Sequence, residues 1–139
     1  LDMMKAALEG ISELQLETNP ITLGITVLTS MSQEDLTSIG VNRPMKEQVE
    51  ALALLAQKAG LDGVVASPQE AQGLRSLLGD NAAIVTPGVR PLGAALGDQT
   101  RVATPRKAFD AGASHLVIGR PITEADVPVR AFDEIVKGL

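Results

Sequence analysis

The 139-residue chain has no cysteine, tryptophan or tyrosine, and only two phenylalanines. Without cysteine there is no disulfide framework, no thiolate metal site and no cysteine nucleophile. Without an aromatic platform, base-stacking modes of nucleic-acid binding are excluded. Positive charge is also in short supply: 12 Lys and Arg stand against 17 Asp and Glu, a net charge of −5, the wrong sign for a phosphate-backbone binder. No apolar run approaches the roughly 18 residues of a membrane span, and no signal-peptide pattern is present. A soluble cytoplasmic protein is expected, with neither a nucleic-acid nor a membrane partner. The chain also lacks metal-ligand spacing and the GxGxxG fingerprint of a dinucleotide site.

What is present is ordinary globular material, 45% apolar and 21% charged, enough for one compact domain over residues 1–139. Four short apolar runs lack polar alternation: Ile21–Leu28, Gly63–Ala66, Ala83–Val85 and His115–Ile118. Such runs suit strands covered on both faces in a parallel sheet. Helical patterns lie between them. Met45, Val49, Leu52, Ala56 and Ala59 share one stripe, stopped by Gly60. Ser67-Pro68-Gln69-Glu70 reads as a helix start, with Gly79 as its end. Thr104-Pro105 opens another helix that Gly112 closes, and a last helix runs from about Pro128 to Lys137. An amphipathic pattern over Met3 to Leu16 precedes the first strand.

This repeat of βα units implies an α/β fold, either a doubly wound sheet or a (β/α)8 barrel. A barrel needs about 250 residues and eight units, and only four units are visible. The chain opens at Leu1 inside a unit. The expected fold is therefore the second half of a TIM barrel: strands five to eight, preceded by one helix, as a single partial domain.

Ligands of α/β folds sit at the carboxyl ends of the strands. Those ends are Thr29-Ser30, Ser67, Thr86-Pro87-Gly88-Val89-Arg90 and Gly119-Arg120. Barrels commonly hold phosphate in the loops after strands seven and eight, which here are the two Gly-and-Arg segments. Glycine lets backbone N–H groups approach phosphate oxygens, and arginine adds a two-pronged, permanent positive charge. Arg120 could instead form a surface ion pair. The long connection from Gly88 to Ala103 carries Gly97-Asp98-Gln99, which reads as a closing loop over an anion or as plain surface loop. His115 lies at the start of its strand, more than ~10 Å from the ligand end at about 3.3 Å per residue, and is read as structural. Asp35, Glu47, Glu50, Asp110 and Asp133 fall in helical segments as solvated face residues. No convincing proton-transfer residue remains.

The motifs Leu28-Thr29-Ser30-Met31, Gly60–Val65, Val85–Pro91, Gly97-Asp98-Gln99, Thr104-Pro105 and Val117–Thr123 together resemble the orotidine 5′-phosphate decarboxylase family, in order and spacing, across essentially the whole chain. The bacterial branch is the more similar one. The resemblance implies a cofactor-free carboxy-lyase of pyrimidine biosynthesis, commonly a homodimer, that converts orotidine 5′-monophosphate to UMP and CO2. It implies that Arg120 and the Gly119 backbone grip the phosphate, with Arg90 as a second binding arginine. It also implies that Gln99 bridges phosphate and pyrimidine, and that Thr29 contacts the pyrimidine, with Ser30 as a possible neighbour in that contact. A related sugar-phosphate lyase or isomerase barrel is disfavoured by Thr29 and Gln99.

One departure is large. The family's chemistry resides in an Asp-x-Lys-x-x-Asp signature whose Lys protonates the carbanion. Two residues before Lys5, Lys46, Lys58, Lys107 and Lys137 stand Met3, Pro44, Ala56, Pro105 and Ile135, so none belongs to that signature. The expectation is a chain that holds the phosphate- and pyrimidine-binding half, has no catalytic residue of its own, and is inactive alone. The alternative is a noncatalytic phosphate-binding half-barrel that self-associates.

Overall fold

The computed structural model describes residues 1–91 and 103–139. In chain order its elements are α1 (Asp2–Glu13), β1 (Leu23–Ile25), α2 (Gln33–Ser38), α3 (Met45–Ala59), β2 (Gly63–Val65), α4 (Ala71–Leu78), β3 (Ala83–Thr86), α5 (Pro105–Asp110), β4 (His115–Leu116), α6 (Arg120–Thr123) and α7 (Pro128–Lys137). All four strands are parallel and lie in the order β1-β2-β3-β4. Among the described strands the order never reverses, so the sheet has no topological switch point of the doubly wound kind.

The strands form where the apolar runs stand, but three of the four runs outlast their strands, and only β3 extends one residue past its run. Ile21–Leu28 pairs only over Leu23–Ile25, and His115–Ile118 only over His115–Leu116. Pairing sets these limits: β4 meets β3 only through Val85↔His115 and Thr86↔Leu116, before Pro87 interrupts the ladder.

Helix punctuation follows the sequence closely at α3. Gly60 ends it in the left-handed conformation (φ 94°) and returns its N–H to Ala56 and Gln57 carbonyls. At α5 the Thr104 hydroxyl accepts from the Lys107 N–H, with Pro105 in the first turn. The start of α4 is a correction. Ser67 does not cap it; the helix begins at Ala71. Ser67 is fully buried, its hydroxyl donates to the Glu70 carboxylate and accepts from the Gln69 N–H (3.3 Å), and Glu70 N–H returns to Ser67 O at 3.1 Å. Those bonds close a separate tight turn before the regular helix.

The core lies between the sheet and its helices. Val64 and Ile84 point from β2 and β3 against Val49, Ala53 and Ala56 of α3 and Ala71 and Leu74 of α4. Full burial of Leu74, Ile84 or Val49 contributes ~1.5–3 kcal/mol each. Gly24 lets α3 approach β1: a Cβ there would sit 2.9 Å from the Ala56 Cβ. The alternate residues form a second row across the sheet, Ile25–Val65–Val85–His115 in register. The ends of this row, Ile25 and His115, are exposed.

Candidate functional site

Each expected binding residue among the described ones follows a strand at its carboxyl end. Thr29 lies four residues past β1 and is buried at 8% exposure; Arg90 lies four past β3 and is equally buried. Gly119 and Arg120 follow β4 and are exposed. Gln99 lies outside the described residues, as do Gly97 and Asp98.

Because β3 and β4 are hydrogen-bonded neighbours, the Gly88–Arg90 and Gly119–Arg120 segments leave the sheet side by side. Gly88 takes a positive φ of 75°, which turns the chain sharply after Thr86. Val89 then bridges to Ala103 in parallel fashion, with Arg90 N–H on the Ala103 carbonyl at 2.9 Å. The neck of the long connection is thereby tied down at the arginine. The Arg90 Nη1 donates to the Val89 carbonyl at 2.9 Å. Among the described residues no carboxylate stands within ion-pair distance of Arg90. A buried guanidinium without a carboxylate is costly unless an anion joins it.

After the β4 strand end, Arg120–Thr123 forms a short helix rather than an irregular loop. Gly119 caps the one-turn helix α6, whose Ile122 and Thr123 N–H groups return to the Gly119 carbonyl at 2.8 and 3.1 Å. Pro121 in the first helical turn is the available signal. Open space surrounds Gly119: apart from its chain neighbours, no described atom would lie within 4 Å of a Cβ added there, so its backbone is approachable. Thr29 follows β1, two strands from β3 and three from β4. At ~4.8 Å between strands, that is about 10–14 Å from the two arginine loops.

His115 begins β4 at the opposite end of the strand and shares a 3.0 Å contact between Nδ1 and the Ser114 hydroxyl. The helical carboxylates are solvated face residues where pairs are seen: Glu50 with Lys46 at 3.8 Å and Asp110 with Arg106 at 3.0 Å. Asp35 closes a capping box with Ser32 at the start of α2, and its bonds to the Ser32 backbone and hydroxyl hold its carboxyl below the usual range. Among the described residues no cluster of His, Asp and Glu suits a metal ion. No described helix is long and apolar enough to cross a membrane.

A further cavity of about 750 Å³ opens between α2, α3 and α4, lined by Met31, Gln33, Lys46, Glu50, Glu70 and Gln72 among others. None of the expected binding residues lines it. It arises from α2, whose only sequence signal is the Ser32-x-x-Asp35 cap.

Comparison with known proteins resolves the family. A sequence model of the orotidine 5′-phosphate decarboxylase / HUMPS family matches residues 1–135. The chain belongs to that family. The family's orotidine 5′-phosphate decarboxylase from Shewanella sediminis is 51% identical over 139 residues, covering all of this chain and 59% of the relative. The same enzyme from Pseudoalteromonas translucida is 52% identical over 120 residues, 86% of this chain and 51% of the relative. In structure, the chain is similar to crystalline orotidine 5′-phosphate decarboxylase from Lactobacillus acidophilus (TM-score 0.81, 38% identity), which aligns over 97% of this chain and 57% of that one. The chain thus spans about half the length of its family relatives. The α/β fold with a parallel sheet is shared with these neighbours.

Proposed function

We propose that this chain is the carboxyl-terminal half, strands five to eight, of a (β/α)8 orotidine 5′-monophosphate decarboxylase, and that it carries the enzyme's grip on phosphate and pyrimidine. The observation that carries the reading is Arg90: a buried guanidinium with no carboxylate in reach among the described residues, on the strand next to the Gly119–Arg120 loop. Two arginines and an open glycine backbone at adjacent strand ends make a phosphate cradle. Thr29, about 10–14 Å away across the sheet, stands at the distance of a nucleotide's base, where its hydroxyl can hydrogen-bond a pyrimidine. The family resemblance assigns Gln99, outside the described residues, the part of bridging the two.

In this reading the residues act by binding, not by proton transfer. Decarboxylation breaks the bond from pyrimidine C6 to the carboxylate carbon and leaves an electron pair on C6, which a lysine of the Asp-x-Lys-x-x-Asp signature protonates. That signature is not in this sequence. Contacts to phosphate remote from C6 raise the rate only when their energy is used to hold the reacting state. The complete enzyme is expected to be a homodimer working without metal or organic cofactor.

Calorimetric titration of the 139-residue chain with UMP tests the reading. Arg120→Ala and Arg90→Ala should each weaken UMP binding by about 10–100-fold, the worth of one charge-assisted pair of ~1.5–3 kcal/mol. Equal affinity in Arg120→Ala would remove phosphate recognition from the proposed role of this loop.

A further inference from the structure

Among the described strands the β3–β4 seam is the shortest, yet both segments assigned above to phosphate leave the sheet from it. β1–β2 and β2–β3 pair over three residues each, and β3–β4 over two. Side-chain hydroxyls reinforce this seam at both ends. At its start the Ser114 hydroxyl accepts from the Ile84 N–H (2.8 Å) and donates to the Ile84 carbonyl (3.1 Å). At its ligand end stands Thr86, which is fully buried. Its hydroxyl donates to the His115 carbonyl (3.3 Å), and its own carbonyl accepts from the Val117 N–H (3.0 Å). Beyond Thr86 no described hydrogen bond joins the two segments. Pro87 has no N–H to offer, and Gly88 turns the chain away.

We propose that Thr86 is a positioning residue for the phosphate: its hydroxyl bond to β4 fixes the spacing between Arg90 and the Gly119–Arg120 segment. The inference rests on the phosphate-binding reading of those two segments. Thr86 stands two residues past Ile84, so strand alternation sets it on the face turned toward the helices, not on the inward row of Val85. It therefore acts through the backbone and not by touching the ligand.

Arg90 follows Thr86 by four residues, and Gly119 follows Val117 by two, so each phosphate segment is a short arm from this last joint. Charge-assisted hydrogen bonds hold over a narrow range of about 2.7–2.9 Å, and misplacing a binding group by about 1 Å can cost ~100-fold. The separation of the two arms at their root therefore decides whether one anion meets both. Valine has the same branched shape as threonine and a like preference for strands, so packing alone does not call for a hydroxyl at this buried position. What threonine adds is the tie to β4.

Calorimetric titration of the 139-residue chain with UMP, with circular dichroism of each variant, provides the test. Thr86→Val should keep the parent spectrum and weaken UMP binding about 3- to 10-fold, the worth of one net hydrogen bond. Thr86→Ser, which keeps the hydroxyl, should restore most of that loss. In an Arg120→Ala background, Thr86→Val should add no further loss, because the spacing it sets then serves a single arginine. A role in stability alone gives losses that add. Unchanged UMP affinity in Thr86→Val, equal losses in both backgrounds, no rescue by Thr86→Ser, or loss of the folded state in Thr86→Val would each overturn the positioning role, while binding that depends on Arg120 still stands. A parent chain that does not bind UMP would instead remove the proposed function, and this inference with it.

Discussion

At the residue scale, one heavily connected side chain lies outside the proposed site. Arg75 of α4 donates Nε and Nη2 to the Gly112 carbonyl (3.1 and 3.0 Å), and Nη1 to the carbonyls of Gly79 (2.7 Å), Asp80 (3.0 Å) and Ala82 (2.8 Å). One guanidinium therefore ties the end of α4, the entry to β3 and the joint before β4. Gly112 is fitted to it, since a Cβ there would lie 2.9 Å from the Arg75 Cβ. Arg75→Ala leaves four carbonyls without that donor, and urea unfolding should show a loss of about 2–4 kcal/mol. Arg75→Lys should rescue only a fraction, because an ammonium cannot reproduce the planar fork. Nothing in the sequence marks Arg75, because its partners are backbone atoms up to 37 residues away.

Asp62 makes a second such tie at the same end of the sheet. Its carboxylate accepts from the Thr22 hydroxyl (2.6 Å) and the Thr22 N–H (2.7 Å), and these bonds hold its pKa below the usual carboxylate value. A depressed folded-state pKa means stability that is present above the unfolded value of about 3.9 and lost as pH falls through the folded one. Acid titration of unfolding should therefore show a decline beginning below about pH 4, shallower in Asp62→Asn. An identical slope in that variant would assign the acid sensitivity to other carboxylates.

At the scale of elements, β2 and β3 depend on one missing side chain. A Cβ on Gly63 would overlap the Ala83 backbone carbonyl far inside van der Waals contact, and Gly63 and Ala83 are register partners. Gly63→Ala should force the two strands apart, with loss of cooperative unfolding or a fall in stability well beyond the ~1 kcal/mol usual for a substitution. Circular dichroism and thermal melting check this directly. How far such elements are readable from sequence depends on what terminates them. The helices bounded by Gly60 and by Thr104-Pro105 are legible because their stops are local chemistry. Strand lengths are not, because pairing with a neighbour decides them. The Ser67–Glu70 turn reads like the first turn of α4 because Ser, Pro and Glu at those spacings serve both structures, and burial of Ser67 decides between them. The helices α2 and α6, at six and four residues, are too short for apolar periodicity to register. In the site, Thr29, Arg90, Gly119 and Arg120 are legible as strand ends. The burial of Arg90, and the lack of a carboxylate near it among the described residues, are not, since both arise only when β3 and the chain at Ala103 come together.

At the scale of the whole molecule, the chain spans about half the length of the relatives it matches. The strand ends carry arginines, a glycine backbone and a threonine, all suited to holding a nucleotide, while none of the five lysines stands in the proton-donating signature. The proposed function is a division of labour between two halves of the enzyme, and it predicts that the 139-residue chain binds UMP without forming it. The most direct test is a spectrophotometric assay of orotidine 5′-monophosphate decarboxylation, by the purified 139-residue chain alone and after mixing with the amino-terminal half of a family relative. No turnover is expected from the chain alone, and measurable UMP formation is expected from the mixture, lost again with Arg120→Ala. UMP formation by the chain alone would contradict this division of labour.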